Sequence, residues 1–160
     1  MAGRFEVKTV VDRPIEDVFA FLADGENDPQ FSPRVLEIEK TTEGPPGVGT
    51  VYASTVKDAG MKTRRELKLT EFDPPTRIRW TETSKNLITS AEGGYDLAPA
   101  DEGTQVTLFN VLEGHGLGAL ITPLALLGAR RGADDFGRAI KQAVEAEAAP
   151  PAAPPPGATA

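Results

Sequence analysis

Apolar and polar positions alternate at the start of the chain. Phe5, Val7, Thr9 and Val11 are interleaved with Arg4, Glu6, Lys8 and Val10, the period of a strand with one buried face. The period changes at "PIEDVFAFLAD". Ile15, Val18, Phe19 and Leu22 fall at i, i+3, i+4 and i+7, Pro14 offers a fixed φ for the first turn, and Glu16 and Asp17 sit where the helix dipole favours acids. "GENDPQFSP" holds Gly25, Pro29 and Pro33, so a second helix there is a turn or two long, with Phe31 as its large anchor. Strand-like segments follow at residues 34–42, 49–58, 61–73, 76–84, 87–98 and 104–113. They are divided by "EGPPGVG", "DAG", "DPP", "SKN" and "PADEG", short turn-forming stretches that predict an antiparallel meander of six strands.

From Leu117 to about Glu147 the strand period disappears. Leu120, Leu124 and Leu127, then Phe136, Ile140 and Val144, recur at helical steps and predict one long terminal helix, about 46 Å if continuous, with Pro123 after Thr122 kinking or restarting it near its beginning. Its back half is amphipathic, with Arg131, Asp134, Asp135, Arg138 and Lys141 for water. Its front half, "GLGALITPLALLG", has no polar face. It is not a membrane span: Gly116 to Gly128 is thirteen residues, whereas a span takes roughly 20.

A chain of 160 residues is a one-domain length. Residues 1–148 carry the pattern, and 149–160, "APPAAPPPGATA", read as a disordered Pro/Ala-rich tail without apolar bulk. The net charge of -7 opposes approach to polyanions, so nucleic acid and anionic membrane surfaces are poor partners. Zero cysteines remove disulfides, thiolate nucleophiles and Cys-based zinc sites, and point to a cytoplasmic, reducing setting. "MAGRFEVKTVVD" lacks the continuous apolar core of a secretory signal.

Candidate chemistry is sparse. His115 is the only imidazole, flanked by Gly114 and Gly116 at the junction into the terminal helix; it reads as an exposed loop histidine ahead of a catalytic base. No GxSxG supports a hydrolytic triad. One histidine without cysteine leaves only carboxylates for a metal. "DGENDP" has its glycine in the wrong place for a calcium loop, so Asp24, Glu26 and Asp28 read as a solvated turn. "PPGVGT" leads into a strand and reads as a hairpin turn, not a phosphate cradle. Neither metal nor cofactor is expected.

The order strand, helix pair, six-strand meander and long terminal helix resembles the helix-grip fold of the START-like, or SRPBCC, superfamily, which includes plant pollen allergens and bacterial polyketide cyclases. The residues carrying the resemblance are "RPIEDVFAFLADGENDPQFSP", "GVGTVY", "LTEFDPPTRIRW", "GGYDLAPADEGTQVTL" and the terminal helix. The likeness is to the bacterial polyketide cyclase/dehydrase and lipid-binding group. It implies an α+β fold in which a curved antiparallel sheet grips the long helix around an internal apolar cavity. One side of "GLGALITPLALLG" would line that cavity; the alternative is a front half that fills the core and leaves no cavity.

On that frame Tyr52, Trp80 and Tyr95 each join a large apolar body to a hydrogen-bonding tip suited to orienting an apolar ligand. Phe31, Leu67, Leu69, Leu108, Leu120, Leu124 and Leu127 would add apolar lining. Asn110 shares a strand face with Val106, Leu108 and Leu112. If that face is internal, its amide needs a partner, which is a ligand, a water or a backbone group. Arg65 shares a face with Leu67 and Leu69, and either serves as a counter-ion for an acidic ligand or, the favoured reading, snorkels to solvent. The leading expectation is binding of a small hydrophobic or aromatic molecule, lipid- or polyketide-like. The alternatives are a polyketide cyclase or dehydratase using Tyr52, Tyr95, Asn110 or His115 for proton transfer, and a protein-interaction module.

Overall fold

The computed structural model of the chain describes residues 2–58 and 60–147. The tail assigned from composition to 149–160 lies outside them. Strand β1 (Ala2–Val11) leads into α1 (Ile15–Ala23) and a 3-10 helix (Gly25–Gln30). Six strands follow: β2 (Val35–Lys40), β3 (Val51–Asp58), β4 (Met61–Asp73), β5 (Arg77–Glu82), β6 (Ile88–Ala100) and β7 (Gly103–Gly114). Two helices close the chain, α2 (Gly118–Arg131) and α3 (Ala133–Glu147). The seven strands form one antiparallel sheet in the order β1-β7-β6-β5-β4-β3-β2: a meander whose last strand pairs with the first.

Turn chemistry sets the registers. At the β6–β7 hairpin Gly103 has a φ of +135°, and a Cβ there would run into the Val11 carbonyl. Register then fixes faces, since side chains alternate. Phe5, Asn110, Gly93 and Trp80 stand side by side across β1, β7, β6 and β5, as do Val7, Leu108, Tyr95 and Ile78 one step along. Leu67 lies opposite both Tyr52 and Glu82, and Arg65 opposite Ser54. All of these share the concave face. On the convex face Phe109, 3% exposed, is covered by guanidiniums: those of Arg4 and Arg79 lie 4.1 and 4.8 Å from its ring centre.

Helix α3 packs on β1 and α1 and closes the core with Ile140 and Val144, both fully buried. Phe136 meets Phe31 edge-on at 6.0 Å. Around them Val7, Val11, Val18, Phe19, Leu69, Ile78, Tyr95, Leu97, Val106 and Leu108 form one apolar cluster. Sixteen side chains of that size are ample for a chain of this length, at roughly 1.5–3 kcal/mol each before chain entropy is counted.

The terminal helix departs from expectation in two ways. It is broken at Gly132, and Pro123 lies within α2 without ending it. The reason is charge placement: Arg130 and Arg131 occupy the last turn of α2 and Asp134 and Asp135 the first turn of α3, so each terminus meets the charge its dipole favours. Gly132 between them turns the chain. Second, Leu120, Leu124 and Leu127 do not line an interior. They are exposed, and the residues α2 buries are Gly118, Thr122 and Leu126.

Candidate functional site

The concave face has two halves of different character. Beneath α1, the 3-10 helix and α3 it is sealed. Phe31, Tyr52, Leu69, Tyr95 and Leu108, which the sequence suggested as ligand lining, are 3–5% exposed and belong to the packed core. The Tyr52 ring lies under Gly25, and its hydroxyl donates to the Ala23 carbonyl at 3.3 Å. Burial raises the phenol pKa of Tyr52, and raises that of Tyr95 further. Both hydroxyls therefore stay protonated at neutral pH.

The other half is open. Helix α2 packs on β1 and β7 and touches the edge of β6, and at that end Arg65, Leu67 and Trp80 on the concave side of β4 and β5 stay partly accessible, while Ser54 and Val56 of β3 are buried. Leu67, Trp80, Leu112 and Phe5 form its apolar floor, with the Asn110 carboxamide among them, all partly accessible. The Trp80 ring stands edge-on to Tyr95 at 5.3 Å, which ties this floor to the sealed core. Gly93 matters locally: a Cβ there would occupy the space held by the Trp80 indole nitrogen and the Asn110 Oδ1.

Along the floor runs a polar cluster. The Glu82 side chain has no exposure at all and accepts from four donors: Arg65 Nη1 at 2.8 Å, Ser90 N at 2.8 Å, Ser84 Oγ at 2.7 Å and Asn86 Nδ2 at 2.8 Å. The Glu82 carboxylate anchors Arg65, whose side chain is 19% exposed and whose Nη2 lies 3.5 Å from Asp58. Arg34 also pairs with Asp58. Two guanidiniums and two carboxylates make the cluster neutral. Arg65 thus neither snorkels to solvent nor stands free as a counter-ion. Asn110, inward-facing as its strand position implied, has a protein partner: its Oδ1 accepts from Ser90 Oγ at 2.8 Å.

Two further placements bear on chemistry. His115 is exposed at the β7–α2 turn, its Nε2 2.8 Å from Thr89 Oγ1. Asp28 is not a solvated turn residue. It is half-buried on the 3-10 helix; burial, with the Asp24 carboxylate adding repulsion, pushes its carboxyl up to about 7, and its field is felt at both Tyr52 and Tyr95. Sequence reasoning missed Asp28 and Glu82. For Glu82 the signal was present, since it follows Trp80 by two on one strand; for Asp28 it was not, because packing of the 3-10 helix buries it.

On the loop side of the sealed half, Phe19, Ala20, Ala23, Pro45, Pro46 and Phe72 line an open cleft of about 440 Å³, with Lys40 bridging to the Thr42 and Gly44 carbonyls. No helix among the described residues is long and apolar enough to cross a membrane.

Solved structures share this architecture. The chain is similar to TTHA0849 from Thermus thermophilus, with 21% identity over 91% of this chain and 98% of that one and a TM-score of 0.73. It is similar to the ZhuI aromatase/cyclase from Streptomyces sp. R1128, with 20% identity over 92% and 94% and a TM-score of 0.71. A major latex-like protein from Panax ginseng aligns at 16% identity over 93% and 99%, with a TM-score of 0.66. At such identities the likeness is one of fold. Comparison with curated protein sequences finds no match. The family model described as polyketide cyclase/dehydrase and lipid transport matches residues 2–148, from the first strand through α3. Since that match runs through the whole sheet and its helices, the chain belongs to the polyketide cyclase/dehydrase and lipid transport family.

Proposed function

We propose that the chain binds a small, largely apolar molecule bearing a neutral hydrogen-bonding group, in the open half of the concave face beside α2. The observation that carries this reading is the contrast between the halves. One is a dry core. The other holds a buried ion pair, an indole and a carboxamide on an apolar floor that solvent still reaches. Replacing such an ion pair by apolar side chains is often neutral or stabilising, so its presence marks a place where packing alone does not set the sequence. The neutrality of the cluster favours a carbonyl, hydroxyl or amide over a carboxylate on the ligand. Family membership supports the same reading. A cytoplasmic setting is part of it, supported by a chain without cysteine.

Trp80 is the only tryptophan and lies on the floor, so it reports directly. Titration with the neutral probe N-phenyl-1-naphthylamine should quench Trp80 emission saturably. Leu67→Trp, which fills the floor, should weaken probe binding by about tenfold, roughly 1.4 kcal/mol. No saturable binding by the parent protein, or equal affinity in the variant as read from probe emission, refutes the reading.

One observation favours a second reading, cyclisation or dehydration of a polyketide-like substrate. A carboxyl that titrates near 7 beside two protonated phenols can take and return a proton at neutral pH. The ZhuI structure, that of an aromatase/cyclase, shares the fold. Turnover of an aromatic polyketide precursor that survives Asp28→Asn unchanged would refute this reading.

A further inference from the structure

Helix α2 turns its small residues inward and its large ones outward. Small residues, Gly118, Ala119, Thr122, Ala125 and Ala129, form the face toward the sheet, and Leu126 against Gly3 is its one large buried side chain. The opposite face presents Leu117, Leu120, Ile121, Leu124 and Leu127, exposed by 74%, 78%, 49%, 71% and 42%. Leu87, 57% exposed, has its backbone carbonyl against Gly118. A soluble surface seldom keeps so many large apolar residues contiguous without an occupant.

Charge identifies the occupant. The chain carries -7 overall, yet α2 contains no carboxylate. It ends in Arg130 and Arg131, both exposed, and Arg130 Nη2 donates to the Arg4 carbonyl at 2.8 Å. Lys85, exposed, precedes Leu87 by two at the other end. An apolar stripe flanked by cations is complementary to a lipid surface with anionic headgroups. Fourteen residues make about 21 Å of helix, too short to span and suited to lying flat.

We infer that the outer face of α2 docks on the surface of a phospholipid bilayer, its leucines in the interfacial layer and Arg130 and Arg131 on anionic headgroups. The overall charge sets the mean field, and α2 is the local exception to it. Docking here leaves the open half of the concave face beside the membrane.

Flotation of the full chain with ligand-free vesicles tests this, using phosphatidylcholine alone and phosphatidylcholine with about one-third phosphatidylglycerol. The protein should float with the anionic vesicles, less with the neutral ones, and less as salt rises. The exposed-site variant Leu120→Glu/Leu124→Glu should lose about tenfold or more of the vesicle affinity at unchanged Tm. Arg130→Gln/Arg131→Gln should lose the preference for anionic lipid. The inference is overturned if the parent protein floats with neither vesicle, or if the leucine variant floats as well as the parent. A parent dimer in light scattering that the leucine variant dissociates, without any vesicle effect, would assign the face to a second copy. The vesicles contain no probe, so these outcomes are independent of ligand binding on the concave face.

Discussion

Substituting Asp28 by asparagine should make the protein more stable in alkaline solution and leave it unchanged in acid. The side chain is half-buried, and its carboxyl is raised from an ordinary 3.8 to about 7 by burial and by Asp24. The sign follows from proton linkage. Between 3.8 and about 7 the native state holds a proton that the unfolded chain has released, so stability falls as pH rises through that window and is flat on either side. At about 1.4 kcal/mol per pH unit, the interval corresponds to a ceiling of about 4 kcal/mol above pH 7. Solvent that reaches the half-buried carboxyl trims this, and about 2 kcal/mol is the expected gain. For a chain of this size that is a rise in Tm of roughly 4–8 °C. Thermal unfolding of both proteins, followed by circular dichroism from pH 3.5 to 9, reads the difference directly. Any fixed offset from the amide appears at all pH values and subtracts out. A Tm difference that does not grow in favour of the variant between pH 4 and 8 would refute the reasoning.

Other perturbations probe the polar cluster and the hairpin. Glu82→Gln should cost about 3 kcal/mol in urea unfolding, because it leaves Arg65 buried against an uncharged amide and turns an NH2 toward the Ser84 and Asn86 donors. Arg65→Met/Glu82→Leu should cost clearly less than the two single losses added together; strict additivity would contradict a coupled pair. Gly103→Ala should lower stability in urea unfolding by at least about 2 kcal/mol, since its φ of +135° disfavours a side chain and the Cβ meets the Val11 carbonyl. A midpoint equal to that of the parent protein would show that the hairpin relaxes freely.

Much of the architecture was legible because turns punctuate it. Each strand of the meander lies within or beside its predicted segment, since "EGPPGVG", "DPP" and "PADEG" admit few continuations, and the alternation around Asn110 gave its face. The break in the terminal helix was legible too, but elsewhere than at Pro123: "ARRGADD" is a helix end followed by a helix start. The orientation of α2 was not legible. Periodicity gives a helix two faces, and the rule that large apolar residues turn inward picks the wrong one here, because close approach to β1 and β7 demands small residues. Tyr52 and Tyr95 were found as inward aromatics, but whether an inward residue meets a ligand or a neighbour depends on packing from distant segments, and Phe19, Phe31 and Phe136 seal that end. Asp28 shows the same limit, since its carboxyl is perturbed by what folds over it.

The central claim is that a ligand occupies the open, polar-edged half of the concave face. It is tested most directly by amide and indole NMR of nitrogen-15-labelled protein titrated with N-phenyl-1-naphthylamine. The account predicts that the Trp80 indole N–H and Asn110 side-chain signals move first and saturate together, with the backbone of Leu67 and Gly93 following. Shifts confined to the cleft beside Phe19 and Phe72, or to the outer face of α2, would contradict it.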